Sequence, residues 1–329
     1  MINLPDPRNL MTIDEARWTF VQILDGTVDD DAIGDFLVGL ADRGETAVEI
    51  AGAAFALRDR MIPVEAPPKA IDVCGTGGDG HHTLNVSTAV SLVVAACEVP
   101  VAKHGNRAAS SKAGAADVLE EFGLDMERAG RTAEASLRDL GICFLFAANH
   151  HPAMRRIQPI RQRLGRRTIF NLIGPLANPA GVKRQLLGIA RPGYVHIYAE
   201  AMAVIGTDRT LIVSGDEGID ELSLAGGNEV AEIDREGLLM RRLYPTDAGL
   251  ASHPIDAIRG GDVKVNAAAL RALLQGQRGA YRDAVLFNAA AALEIAGAAP
   301  TLPAGVAQAA RAIDSGSANT LLDRWIAYT

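Results

Sequence analysis

The chain has 329 residues, a formal charge of −8 at pH 7, 48% apolar and 22% charged residues, and few aromatics. Such a length accommodates a large core and two domains, and the balance is that of a soluble α/β enzyme. An acidic chain is not drawn as a whole to nucleic acid or to an anionic membrane, so its basic residues act locally and an anionic small molecule is the better partner.

The first sixty residues read as three short helices. Thr12 with Glu15 and Thr46 with Glu49 have capping-box spacing, and Ile33, Phe36, Leu37 and Leu40 form one apolar stripe. Helices this short need a partner surface, either the rest of the chain or a second subunit. Pro5, Asp6, Pro7 and Asp14 stand where a signal peptide would need an apolar run. The most apolar stretch, Ala89 to Ala102, is broken by Glu98 and Pro100 and is too short to span a bilayer. Cys74, Cys97 and Cys143 form no CxxC pair, which fits free packed thiols in a reducing compartment, so a cytoplasmic location is expected.

Pro63 to Lys69 reads as a linker, after which apolar strands alternate with helices. The expected strands are Ile71 to Cys74, Val99 to Ala102, Ile142 to Phe146, Thr210 to Ser214 and Glu229 to Ile233. That alternation predicts an α/β fold with a mainly parallel sheet covered on both faces. Ligands of such sheets bind beyond the carboxyl ends of the strands. The segments that follow four of these strands, Gly75 to Gly80, Lys103 to Arg107, Ala147 to His151 and Gly215 to Glu221, would converge on one edge if the strands are parallel. Between them, the basic and then Gly/Pro-rich stretch Arg155 to Pro179 is expected to pack back on the N-terminal helices.

Gly75-Thr76-Gly77-Gly78-Asp79-Gly80 stands between a strand and a helix start, where free N–H groups and the helix dipole favour an anion. Asn85, Ser87 and Thr88 add side-chain donors, and Lys103 supplies a cation. The loop lacks both the dinucleotide fingerprint and the lysine of a P-loop, which disfavours nicotinamide and P-loop chemistry. Asp220 and Glu221, adjacent acids in a glycine-flanked loop, suit Mg²⁺, which takes one or two carboxylates together with phosphate oxygens and water; the Ser87 hydroxyl could complete the shell. The paired histidines His81/His82 and His150/His151 do not make a zinc site, because no cysteine stands at ligand spacing. His104 and His151 read as polar site residues.

These motifs extend to Ser110-Ser111-Lys112-Ala113-Gly114-Ala115-Ala116-Asp117, His151-Pro152-Ala153, Arg167-Thr168-Ile169-Phe170-Asn171-Leu172-Ile173-Gly174-Pro175-Leu176-Ala177-Asn178-Pro179 and Gly218-Ile219-Asp220-Glu221. Taken in this order, the chain resembles the anthranilate phosphoribosyltransferases of tryptophan biosynthesis. The resemblance implies a fold of the nucleoside phosphorylase type: a small helical domain, residues 1–68 joined by part of 152–182, and a large α/β domain, residues 69–329. It also implies a homodimer through the helical domain. The implied reaction is Mg²⁺-dependent transfer of the phosphoribosyl group of phosphoribosyl diphosphate to the amine of anthranilate, with two ions per monomer.

By position, Gly75, Thr76, Gly77, Gly78, Asp79, Thr83, Asn85, Ser87, Thr88, Lys103 and Ser111 would hold the diphosphate substrate. Ser87, Asp220 and Glu221 would serve the metal. Gly75, His104, Asn106, His151, Arg161, Gly174 and Pro175 would line the anthranilate channel, with Arg161 on its carboxylate. Lys103, Asn106 and Arg161 are the residues implied for catalysis. His81 and His82 stand where many relatives have small residues, and Ser214 with Asp216-Glu217 replaces the usual His-Gly lead-in. A pyrimidine nucleoside phosphorylase and a non-catalytic relative that binds nucleic acid are the alternatives; the matches at Asn106 and Gly174-Pro175 oppose the first, and the acidic charge opposes the second.

Overall fold

Three capped helices open the chain in the computed structural model, which describes residues 2–108 and 112–329. Helix α1 (Ile13–Asp25) starts at Thr12, whose hydroxyl accepts from Glu15 N at 3.3 Å while the Glu15 carboxylate accepts from Thr12 N at 2.8 Å. Helix α2 (Asp30–Arg43) starts on the Asp29 carboxylate, and α3 (Ala47–Arg58) on the Thr46/Glu49 box. A side-chain cap of this kind contributes about 1 kcal/mol. The stripe Ile33, Phe36, Leu37 and Leu40 is buried.

The chain then alternates through β1 (Ile71–Gly75), α4 (Val86–Ala96), β2 (Val101–Gly105), α5 (Ala115–Glu121), α6 (Met126–Arg131), α7 (Ala133–Leu140) and β3 (Ile142–Phe146). It continues with α8 (Ala147–His150), α9 (Met154–Leu164), β4 (Arg184–Gly188), α10 (Val195–Ile205), β5 (Arg209–Gly215), β6 (Asn228–Asp234) and β7 (Leu238–Leu243). Helices α11 (Val263–Leu274), α12 (Ala280–Ala296), α13 (Leu302–Asp314) and α14 (Ser317–Tyr328) complete it.

The sheet order is β3-β2-β1-β4-β5-β6-β7, with the first five strands parallel and β6 and β7 antiparallel to their neighbours. The expected mainly parallel sheet is therefore present, with three corrections. Strand β2 begins at Val101, because Pro100 has no N–H to give a ladder; its carbonyl instead accepts from Ile71 N at 2.9 Å. Lys103 and His104 consequently lie inside β2. Two strands escaped the sequence reading. Strand β4 opens with Arg184 and Gln185, whose side chains end on the Ala296 and Pro175 carbonyls; β7 is an edge strand with an exposed, non-alternating face. The segment Glu229 to Ile233 runs antiparallel, so its carboxyl end points away from the edge where the parallel strands finish.

One face of the sheet packs against α4 and α12, on which α13 rests in turn, with Val90, Leu186, Val213 and Phe287 in its core. The other packs against α10, and its core runs from Leu187 and Ile212 into Phe20, Leu37 and Leu40 of the first helices. Helix α3 is buried nearly all round because it lies between α1 and α10. Helix α9 packs on α1 and α2, with Arg156 donating to the Gly26 and Val28 carbonyls at 3.0 and 2.9 Å, and Arg58 reaches the Leu176 carbonyl at 2.6 Å. Between the helices and β1, Ile62 N bonds to His150 O at 2.8 Å and Val64 N to Pro179 O at 3.0 Å.

Candidate active site

The chain winds from β1 to β2 and β3 in one direction and through β4 to β5 in the other, so a crevice opens beyond the carboxyl ends of β1 and β4. A small cleft at this point is lined by Val73, Cys74, Ser87, Gly188, Asp220 and Glu221. Close approach dictates glycine at the two strand ends: a Cβ at Gly188 would overlap the Asp220 carbonyl, and one at Gly75 would overlap its carboxylate. Across the gap, Thr76 N donates to Gly188 O at 3.0 Å and Ala190 N to Thr76 Oγ1 at 3.2 Å.

The glycine loop folds over the acidic pair. Gly77 N donates to Asp220 Oδ2 at 2.6 Å, and the Gly77 carbonyl accepts from Arg167. His81 N donates to Asp79 Oδ1 at 3.1 Å, and the His81 ring is hydrogen-bonded at Nε2 to the Glu217 carbonyl at 2.9 Å. Thr83 pairs with Arg259 in an isolated bridge. Asn85 precedes α4 but does not cap it with its side chain: Nδ2 donates to Ala113 O at 3.1 Å and Oδ1 accepts from Asn266 at 2.9 Å. Thr88 is buried with Oγ1 unpartnered among the described residues. Ser111 lies outside the described residues.

The charges beneath the loop are buried. Lys103, 2% exposed, donates from Nζ to Val73 O at 2.8 Å and to Ser87 Oγ at 3.3 Å. Burial lowers its pKa, and Asp72, Glu221 and Asp220 act in the opposite sense. Burial and then Asp79 lift Asp220 to about 6; burial and then Asp220 push Glu221 well above the usual carboxylate range. Ser87 N donates to Glu221 Oε1 at 3.0 Å, whereas Oε2 is buried and unpartnered among the described residues. An orphaned carboxylate oxygen beside a second carboxylate and a hydroxyl is a hard-oxygen donor set, suited to a divalent cation that takes its other ligands from phosphate and water.

The ends of β2 and β3 are different in kind. His104 and His151 are 6% and 4% exposed, with ring centroids 5.2 Å apart. Burial first, then neighbouring histidines, hold His104 down to about 3 and His151 to about 4, so both rings are neutral near pH 7. The Gly174 and Ala177 backbones act in the opposite sense on the two rings, which places the Gly174–Ala177 turn against the pair. Pro175 is buried and starts that turn. Asn106 is exposed and accepts from Arg107 N at 2.8 Å. Arg161, half-buried in the last turn of α9, has a guanidinium without an ion pair or hydrogen bond among the described residues. The structure thus groups His104, His151, Gly174 and Pro175, while no described contact ties Arg161 to them.

Two further residues support the site without having been singled out in the sequence. Arg167 holds the Gly77 carbonyl; its signal was its place at the head of the Arg167 to Pro179 motif. Asn288 accepts from Leu222 N and donates to Leu222 O, both at 2.9 Å, which fixes the residue after Glu221. Its signal was one amide among the apolar residues of α12.

Residues 67–319 match the model of the glycosyl transferase family α/β domain, and residues 9–61 that of the same family's helical bundle domain. Fold and crevice together define a two-domain glycosyl transferase. The chain is 68% identical over 327 residues to the anthranilate phosphoribosyltransferase of Novosphingobium aromaticivorans, with 99% of each covered. The crystal structure of anthranilate phosphoribosyltransferase from Thermus thermophilus superposes with a TM-score of 0.91 at 42% identity, covering 98% of this chain and 99% of that one. The Saccharomyces cerevisiae enzyme in complex with PRPP and Mg gives 0.87 at 28% identity, covering 99% and 93%. The chain belongs to the anthranilate phosphoribosyltransferase family.

Proposed function

We infer that the protein transfers the 5-phosphoribosyl group of phosphoribosyl diphosphate to the amine of anthranilate, giving N-(5-phosphoribosyl)anthranilate and diphosphate in tryptophan biosynthesis. The observation that carries this reading is the convergence of Lys103, Ser87, Asp220 and Glu221 under the Gly75–Gly80 loop, in a chain of this family.

The bond from ribose C1 to the diphosphate oxygen breaks and a C1–N bond forms, with positive charge developing on the sugar and negative charge on the leaving group. The glycine loop and the start of α4 would lie against the phosphates, and Lys103 would add a fixed cation that needs no reorganisation during the reaction. Ser87, Asp220 and Glu221 would hold Mg²⁺, which would supply charge neutralisation of the diphosphate when bound. The yeast relative's bound PRPP and Mg support this choice; we propose two ions per monomer.

An aromatic amine is already neutral at pH 7 and attacks without a general base; its proton leaves readily once nitrogen is bonded to carbon. The acceptor side therefore has to orient and dehydrate. Neutral His104 and His151, with Asn106, Gly174 and Pro175, would line the channel, and the unpaired Arg161 fork suits the anthranilate carboxylate. We place the enzyme in the cytoplasm as a homodimer through its helical domain, where Leu10 and Trp18 are exposed; a monomeric mass in light scattering would exclude the dimer.

The test is anthranilate fluorescence in the presence of phosphoribosyl diphosphate and Mg²⁺, with EDTA as control. A metal-dependent decay is expected. Stable fluorescence with folded protein and sound substrates would refute the reading.

A further inference from the structure

The parallel ladder between β1 and β2 stops after one rung. Ile71 pairs with Val101, but no later residue of β1 pairs with β2, whereas all five residues of β1 pair with β4. Continuing the ladder would join Val73 N to Ala102 O and His104 N to Val73 O. Side chains take three of these four groups instead. His104 N donates to Asp72 Oδ1 at 3.1 Å, Ala102 O accepts from Asn178 Nδ2 at 2.9 Å, and Val73 O accepts from Lys103 Nζ at 2.8 Å.

Asp72 and Asn178 also bond to each other: Asn178 Nδ2 donates to Asp72 Oδ2 at 2.7 Å, and Asn178 Oδ1 accepts from Ala180 N at 2.8 Å. Both are buried, Asp72 completely. Isolating a carboxylate from water is costly, and a continued ladder with an apolar side chain at this position would satisfy the same backbone groups without that cost. The position of the exception matters. The end of β1 carries the Gly75–Gly80 loop, the end of β2 carries His104 to Asn106, and Asn178 belongs to the same segment as Gly174 and Pro175.

We propose that Asp72 and Asn178 are positioning residues that hold the ends of β1 and β2 apart at a fixed spacing, and so set the separation between the phosphate-holding loop and the acceptor side. A side chain inserted between two strands spaces them more widely than the roughly 4.8 Å of a direct ladder. The gap gives the sugar carbon and the incoming amine room to meet, and a misplacement of about 1 Å at such a junction can cost about a hundredfold in rate. The proposal rests on the phosphoribosyl-transfer reading above.

The experiment compares the full-length wild type with Asp72→Asn, Asn178→Ala and the double variant Asp72→Asn/Asn178→Asp. Folding is checked by circular dichroism and melting, and kcat and KM are measured for both substrates. Asp72→Asn turns an amide donor toward the Asn178 donor; the double variant restores a donor–acceptor pair there but sets a carboxylate oxygen against the Ala102 carbonyl, so it can return only part of the loss. In folded single variants kcat is expected to fall by more than about tenfold with either KM within about threefold, and the double variant to recover part of the loss. A kcat within about twofold of wild type in folded single variants would overturn the proposal, because the pair would then serve stability alone. An effect confined to KM, or failure of both single variants to fold, would overturn it too. An inactive wild type would instead sink the functional reading and the proposal with it.

Discussion

Around β1 and β5 the crevice concentrates ionised or ionisable groups that burial resists, namely Lys103, Asp220 and Glu221, and leaves one carboxylate oxygen without a partner among the described residues. Around β2 and β3 it buries two imidazoles that stay neutral, with the Gly174–Ala177 turn against them. The difference follows the two halves of the reaction. A departing diphosphate needs fixed opposing charge, whereas a neutral amine needs a dry and oriented seat, with charge useful on that side only where Arg161 would meet the acceptor's carboxylate.

The contrast breaks most severely if the acids are neutralised without loss. In Asp220→Asn/Glu221→Gln, transfer should fall by about 10³ or more, since fixed charge and metal act on the leaving group. The metal-free melting temperature should hold or rise, because burial already disfavours both charged forms. A stopped fluorescence assay paired with a thermal melt checks both; near-normal turnover would mean that the acids are not the metal seat. Lys103→Met keeps the buried stem but removes the cation, and should cost about 10² in kcat/KM for phosphoribosyl diphosphate. Here the acceptor KM should move little.

On the other side, Arg161→Ala should raise the anthranilate KM by about 10- to 100-fold, the worth of a charge-assisted bidentate contact, and Arg161→Lys should recover only part of it. Substrate titrations separate the two ends: an equal rise in the diphosphate substrate's KM would contradict the division. The smallest effect concerns pH. The folded pKa values of His104 and His151 lie below 6.5, so the unfolded chain binds more protons between about pH 6.5 and pH 4, and stability falls as pH drops through that window. His104→Gln should flatten the fall in urea midpoint between these pH values. An unchanged slope would show that the ring is not held neutral by the fold.

Much of this division was legible from residues. Capping boxes, the Ile33 to Leu40 stripe and the alternation of strands and helices identified the layers, because local hydrogen bonding and periodicity are written in short segments. Strand β4 was hidden because its polar opening residues are satisfied by α12 and by the Pro175 turn, which only the tertiary fold supplies. Asn85 looked like a free donor at a helix start, yet its amide is held by Ala113 and Asn266, far along the chain. Asp72 went unremarked inside the expected strand Ile71 to Cys74, because its meaning depends on a ladder that stops one residue earlier. No local pattern records where two strands part.

The division between the charged and neutral ends is tested by ³¹P NMR of phosphoribosyl diphosphate incubated with the protein, with Mg²⁺ and anthranilate added separately and together. Free diphosphate is expected only when both are present, because the charged end activates the leaving group and the neutral end must supply the nucleophile. Diphosphate released at the same rate without anthranilate would contradict it, since the acceptor side would then play no part in the reaction.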